Sequence, residues 1–211
     1  MLHHGGVTTP LTPAQAWTSL KSGNDRFVRG EMQHPSQSIE RRAELSAEQH
    51  PFAVLLGCSD SRVAAEIIFD QGLGDLFVVR TAGHVLDTTV IGSIEYGVEV
   101  LGAPLVVVLG HDSCGAVAAA TAALNDGVVQ RGFVRAVVDR VIPSIIGLGD
   151  ADGPTDAATL GHEHVRNTVQ MLQAYSVSLA EAIEAGRCAI VGLEYTLADG
   201  TVHVVETAGE V

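Results

Sequence analysis

Two short stretches hold the residues able to do chemistry: Cys58-Ser59-Asp60-Ser61-Arg62 and His111-Asp112-Ser113-Cys114-Gly115. Between them they carry two thiols, an imidazole and two carboxylates, of which Asp60 has a guanidinium two residues away. Zinc favours thiolate and imidazole, and a catalytic zinc site uses three protein ligands with a fourth position open. Cys58, His111 and Cys114 meet that specification. The His-x-x-Cys spacing lets one strand-to-helix turn aim His111 and Cys114 at a common point. Cys58 lies far earlier and joins them only if its strand neighbours the strand that ends at His111. Taken singly, each cysteine is more often a buried, inert residue, and His111 a hydrogen-bonded strand end. Taken together, at matching strand ends, they make a metal site the favoured expectation. No Cys-x-x-Cys pair is present, which weakens a thioredoxin-type alternative.

Asp60 and Arg62 alternate out of phase with Ser59 and Ser61, so in an extended loop they face the same way. A guanidinium beside a carboxylate orients it with paired hydrogen bonds and keeps it ionised. Asp60 then either accepts a hydrogen bond from a zinc-bound water or swings in as the fourth ligand. The bland reading is a surface ion pair of little consequence.

The elements that must position these residues are legible as patterns. Near-continuous apolar runs at 52–57 and 105–110 precede the two motifs and read as parallel strands buried on both faces. Further strands are expected at Leu76–Arg80, Cys188–Thr196 and Val202–Glu206, the last after the Asp199-Gly200 hairpin signal. Helices are expected from Pro13 to about Ser22, with Gly23-Asn24 as the stop, around Ile39–Leu45, at about 62–69, from Asp87 or Thr88 to about Leu101, and at Ala116–Leu124. Residues 130–147 read as helical, interrupted near Pro143. One long amphipathic helix then carries Val165, Val169, Leu172, Leu179 and Ile183 to a stop at Gly186. Residues 1–10 are expected to be disordered and 150–156 to form a loop. The implied fold is α/β: a mostly parallel sheet of order 2-1-3-4 with an antiparallel fifth edge strand, flanked by helices, plus an N-terminal helical arm. Both motifs then sit at carboxyl ends of strands, where ligands bind in open α/β sheets. All 211 residues are expected to form one domain. Residues 31–49 are too polar for a core of their own and are expected to lie across a neighbour.

Composition narrows the function classes. A formal net charge of −13 repels phosphate backbones and anionic membranes, so nucleic acid and membrane partners are not expected. Three cysteines do not describe a secreted disulfide framework. No signal peptide or membrane-spanning run is apparent, and a cytoplasmic location is expected.

The paired motifs resemble the two signatures of the β-class carbonic anhydrases. The likeness runs from roughly Ala14 to Tyr195 and includes Gly23-Asn24-x-x-Phe27. The resemblance implies reversible hydration of carbon dioxide to bicarbonate and a proton by zinc-hydroxide attack. One Zn2+ per subunit would be held by Cys58, His111 and Cys114, with Asp60 and Arg62 catalytic. It implies a homodimer or a dimer of dimers, with the arm of residues 1–50 packing on the partner subunit. An apolar pocket is implied at Phe77, Ala82 and Gly115, with Gln49 and Tyr96 contributed across the dimer interface. A closed state in which Asp60 ligates zinc at low pH is a further expectation. Arg80 and Tyr195 match two members of a bicarbonate-inhibition trio, but Leu55 stands where that subgroup has tryptophan. Two other readings remain open: a noncatalytic zinc-stabilised interaction module closed by Asp60, and a hydrolase of carbon disulfide or carbonyl sulfide.

Among the remaining candidates, His84 is a weak one for the proton acceptor. His162 and His164 point apart on a helix and do not chelate. Cys188 is expected to be an inert core thiol, and Gly72-Leu73-Gly74 does not support nucleotide binding.

Overall fold

A computed structural model describes residues 11–145 and 156–211. The expected disorder at 1–10 and most of the 150–156 loop lie outside the described residues. Five strands, β1 (Ala53–Cys58), β2 (Leu76–Thr81), β3 (Leu105–His111), β4 (Ala189–Tyr195) and β5 (Val202–Ala208), form one sheet in the order β2-β1-β3-β4-β5. All neighbours are parallel except β4 and β5, which are antiparallel. This is the expected topology.

Every residue of β1 and β3 is buried, because helices cover both faces. Alternate residues divide between two apolar layers. Leu55, Val107, Leu109, Val191 and Leu193 meet α1 (Pro13–Arg29) and the region of α3 (Ala65–Ile68) on one face. Val54, Leu56, Val106, Val108 and Ile190 meet α4 (Thr88–Glu95), α7 (Ala157–Tyr175) and α8 (Val177–Glu184) on the other. A third cluster gathers Cys58 and Cys114 with Val117 and Ala120 of α5 (Gly115–Asp126) and Val138 and Val141 of α6 (Val134–Val141). It lies at the carboxyl ends of β1 and β3, where the two motifs meet.

Three local expectations are corrected. Gly23-Asn24 does not stop α1, which continues to Arg29 and is capped by Gly30 in the left-handed region. At Gly23 the helix passes so close to Phe69 that an added Cβ would lie 1.8 Å from its carbonyl oxygen. Asn24 is buried, and its Nδ2 donates to the carbonyls of Ile68 and Gly200 at 3.2 and 2.8 Å. The pair therefore docks the helix. Gly23→Ala should lower stability by about 1–3 kcal/mol through overpacking, although alanine is the better helix former by about 1 kcal/mol. Urea denaturation checks this, and a rise in stability would contradict the docking.

The long C-terminal helix is two helices. Ser176 adopts an extended conformation (φ −102, ψ 107), and its hydroxyl accepts from the Leu179 amide as an N-cap, so the chain restarts as α8. Both halves still bury the expected stripe. The helical stretch expected at 130–147 begins only at Val134 and becomes a 3-10 turn at Ile142–Ile145. The α4 helix likewise changes at its end, continuing as a π turn at Tyr96–Val100.

The arm is also partly reassigned. Its α1 buries Ala16, Trp17 and Leu20 in the core of its own chain. Residues 31–50, including α2 (Ile39–Glu44), contain no buried residue. Their start is tied down by Asp70, which accepts from Arg26 Nε at 2.6 Å and from the Gln33 and His34 amides. This second stretch is left largely uncovered by its own chain. Among the described residues, no helix is long and apolar enough to cross a membrane.

Candidate metal centre

Because β1 and β3 are adjacent and in register from Val54↔Val106 to Gly57↔Leu109, Cys58 and His111 emerge side by side. Each is the final residue of its strand. Ser113 then takes a left-handed conformation (φ 52), which turns the chain and sets Cys114 at the N-cap of α5. One sulfur each from Cys58 and Cys114 and one ring nitrogen of His111 lie within 4.8 Å of one another. One ion bonded at about 2.0–2.3 Å to each could bridge that span with side-chain adjustment.

The chemistry of this donor set fits a divalent soft-ligand metal. His111 Nδ1 lies 2.7 Å from the Asp112 carbonyl, which can only accept, so Nδ1 carries the proton and Nε2 keeps its lone pair. That Nε2 is buried and has no hydrogen-bond partner. The thiols behave as a coupled pair. Cys58 is pulled down to about 4, first by its contact with Cys114 and then by His111 and the Gly83 amide, against the cost of burial. Cys114 is pushed up by the same contact and by burial. One thiol thus ionises readily and the other resists. A bound cation would let both ionise.

Asp60 sits at the rim of this cluster, its Oδ2 4.0 Å from His111 Nε2. Arg62 grips it with three bonds: its amide and Nε reach Oδ1 at 2.9 and 3.0 Å, and Nη2 reaches Oδ2 at 2.8 Å. The Arg62 side chain, then its amide, hold the Asp60 carboxyl well below the usual carboxylate range. Arg62 also reaches the Ser113 carbonyl at 3.3 Å, which links the two motifs.

The structure brings together Cys58, His111, Cys114, Asp60 and Arg62, with Ala82 and Gly115 adjoining through the Gly83–Cys58 hydrogen bond and the Cys114 turn. It does not bring Gln49, Phe77 or Tyr96 to the same point. Phe77 pairs with Val54 while Cys58 pairs with Thr81, a separation of roughly 13 Å along the strands. Phe77 instead stands 6.0 Å, ring to ring, from the half-exposed Tyr96. Gln49 precedes β1 and lines a groove of about 510 Å³ with Arg42, Leu45 and Leu73. These three residues occupy the opposite end of the sheet from the metal cradle of their own chain.

Other candidates resolve plainly. Burial holds the His84 imidazole well below its ordinary value, and neither nitrogen has a protein partner, so it is not placed to take protons from solvent. His162 and His164 do point apart, the first to Glu194 and the second into the core. Cys188 is buried, and burial pushes its thiol up to about 12. Arg80, which the sequence presents only as a motif match, donates to the carbonyls of Cys58, Asp60 and Val63 at 2.9, 2.7 and 3.0 Å. It clamps the loop that carries the first motif. The motif match and its place near the end of a strand were the signals for Arg80, and the three carbonyl acceptors were not legible.

A model of the carbonic anhydrase family matches residues 53–202. Carbonic anhydrase 2 of Mycobacterium tuberculosis is 57% identical over 199 residues, covering 94% of this chain and 96% of that protein. A carbonic anhydrase of Mycolicibacterium smegmatis matches with the same identity and coverage. Among solved structures, one of two tetrameric β-carbonic anhydrases from Sordaria macrospora superposes with a TM-score of 0.70 at 22% identity, covering 80% of this chain and 87% of that one. The match spans the whole sheet up to the start of β5 and includes both motifs, and the mycobacterial relatives extend it over nearly the full length; the chain belongs to the β-carbonic anhydrase family.

Proposed function

We propose that this chain catalyses the reversible hydration of carbon dioxide to bicarbonate and a proton, with one zinc ion per subunit held by Cys58, His111 and Cys114. The observation that carries this reading is the buried, unpartnered Nε2 of His111 facing two thiols, with an ionised carboxylate gripped at their rim. When bound, zinc lowers the pKa of water from about 15.7 toward about 7, and less far where two thiolates offset its charge, so turnover favours alkaline pH.

Asp60 accepts the hydrogen of the attacking water and so turns an oxygen lone pair toward the substrate carbon. The C–O bond forms as one C=O π pair moves onto oxygen, and one proton leaves. Asp60 does not keep that proton, because Arg62 holds it ionised; its work is orientation. Ala82 and Gly115 are small and leave room for a linear, apolar substrate. Gln49 and Tyr96 stand too far away in their own chain and serve a second subunit, the Gln49 amide donating to a developing oxygen. The uncovered stretch at residues 31–50 supplies a surface for that pairing, as a dimer or a dimer of dimers.

A second arrangement uses the same residues. Asp60, if released from Arg62, would be available as a further ligand to the metal, and acid pH would favour this because a carboxylate binds without first losing a proton to the medium. Spectra of the cobalt-loaded protein at acid and alkaline pH distinguish the two arrangements; an unchanged spectrum removes the second. A permanently closed, noncatalytic module is disfavoured by the three bonds that hold Asp60 to Arg62. The deciding experiment for the function is stopped-flow carbon dioxide hydration with and without a chelator. Chelator-sensitive acceleration is expected, and no acceleration by zinc-loaded protein refutes the reading.

A further inference from the structure

We propose that His164 is a positioning residue for the metal centre, its Nε2–H pinning the Gly83 carbonyl so that the Gly83 amide stays aimed at the sulfur of Cys58. The inference rests on the zinc site assigned above but concerns residues outside it.

The turn that delivers this amide is conformationally expensive. Gly83 has φ 65 and ψ 24, and His84 follows with φ 43, so two successive residues lie in the left-handed region. For His84, which carries a Cβ, that conformation is strained. A turn of this kind persists only when its surroundings fix it. The Gly83 amide donates to Cys58 Sγ at 3.3 Å, and the Gly83 carbonyl, pointing away, meets His164 Nε2 at 2.8 Å. Holding that carbonyl restrains ψ of Gly83 and so anchors the turn; with Gly83 pinned from its carbonyl side, the preceding peptide that carries its N–H keeps its place against Cys58.

His164 is itself fully oriented. A carbonyl only accepts, so Nε2 carries the proton and Nδ1 accepts from Ser144 Oγ at 2.7 Å. Asn167 Nδ2 donates in turn to Ser144 Oγ at 3.3 Å. The chain of donors runs Asn167 to Ser144 to His164 to Gly83, and every link points toward the cradle. His164 is 1% exposed, and the ring of His84 packs on it at 4.3 Å, so the imidazole has no room to swing. A thiolate ligand with a directed amide donor is held in one rotamer, and partners of this outer kind are commonly worth 10- to 100-fold in metal affinity.

The test compares H164L, H164Q and S144A with the wild type, using zinc affinity by chelator competition and the sulfur-to-metal charge-transfer band of the cobalt-loaded protein. The H164L change removes the donor and should weaken zinc binding by about 10- to 100-fold and move the band. H164Q places an amide nitrogen near the position of Nε2 and should stay within about threefold of wild type, with the band restored. S144A frees the far side of the ring and should lose about 3- to 10-fold. A purely structural role would lower the melting temperature of H164L without moving the band. If H164L does not fold, the other two variants decide: S144A with wild-type affinity and an unmoved band overturns the proposal. A wild-type protein that binds no zinc would refute the site itself, a result distinct from zinc bound equally well by all variants.

Discussion

Cys58→Ser is expected to yield a folded protein that retains no zinc and hydrates carbon dioxide no faster than buffer. Among the described residues, the sulfur at the end of β1 is one of three donors that converge. A serine hydroxyl in its place is shorter and does not ionise near neutral pH, so a tridentate cradle becomes a bidentate one. Without the ion nothing brings the pKa of water down from about 15.7, and the loss in kcat/KM should be on the order of 10⁴-fold or more. The fold should survive, because the two layers that cover the sheet do not depend on Cys58. Elemental analysis, circular dichroism and stopped-flow hydration read the three consequences separately. Stoichiometric zinc in this variant would place the metal elsewhere and end the assignment.

Asp60→Asn should separate binding from turnover. Asparagine is nearly isosteric, and the three ligands are untouched, so zinc content is expected to remain at one per chain. The amide presents donors where the carboxylate presented acceptors, and its one oxygen cannot both satisfy Arg62 and orient the attacking water. Misdirection of a water held by a single acceptor should cost about 10²- to 10³-fold in kcat, with a smaller change in KM. The same variant should lose any change of the cobalt spectrum between acid and alkaline pH, since the neutral amide is a poor substitute for the carboxylate as fourth ligand. A kcat within threefold of wild type would show that Asp60 does not orient the nucleophile.

How much of this was legible in advance depends on the range over which each feature is encoded. The strands were readable because burial on both faces leaves unbroken apolar runs such as Leu105–Leu109, and strand order followed from the need to bring Cys58 beside His111. The ligand set was readable for a related reason: zinc accepts few residue types, and two of the three ligands lie in one turn. The sequence presents Gly23-Asn24 as a helix stop, which the structure reverses, and it carries no sign of the break that the structure places at Ser176. A glycine that permits close approach and one that ends a helix look alike until the neighbouring segment is in place, and a serine cap inside an apolar stripe leaves the stripe intact.

Arg80, His164 and the separation of Phe77 from the metal cradle belonged to the tertiary structure alone. Arg80 acts through carbonyls, which every residue possesses and no sequence pattern marks. His164 meets Gly83 across 81 positions of chain, a pairing set by how α7 packs on the sheet. Sequence by itself determined which residue types stand at the strand ends, and therefore which metal chemistry they admit. Folding decided which backbone groups and distant side chains hold those residues in place, because hydrogen-bond direction is a property of three-dimensional placement and leaves no local periodicity to read.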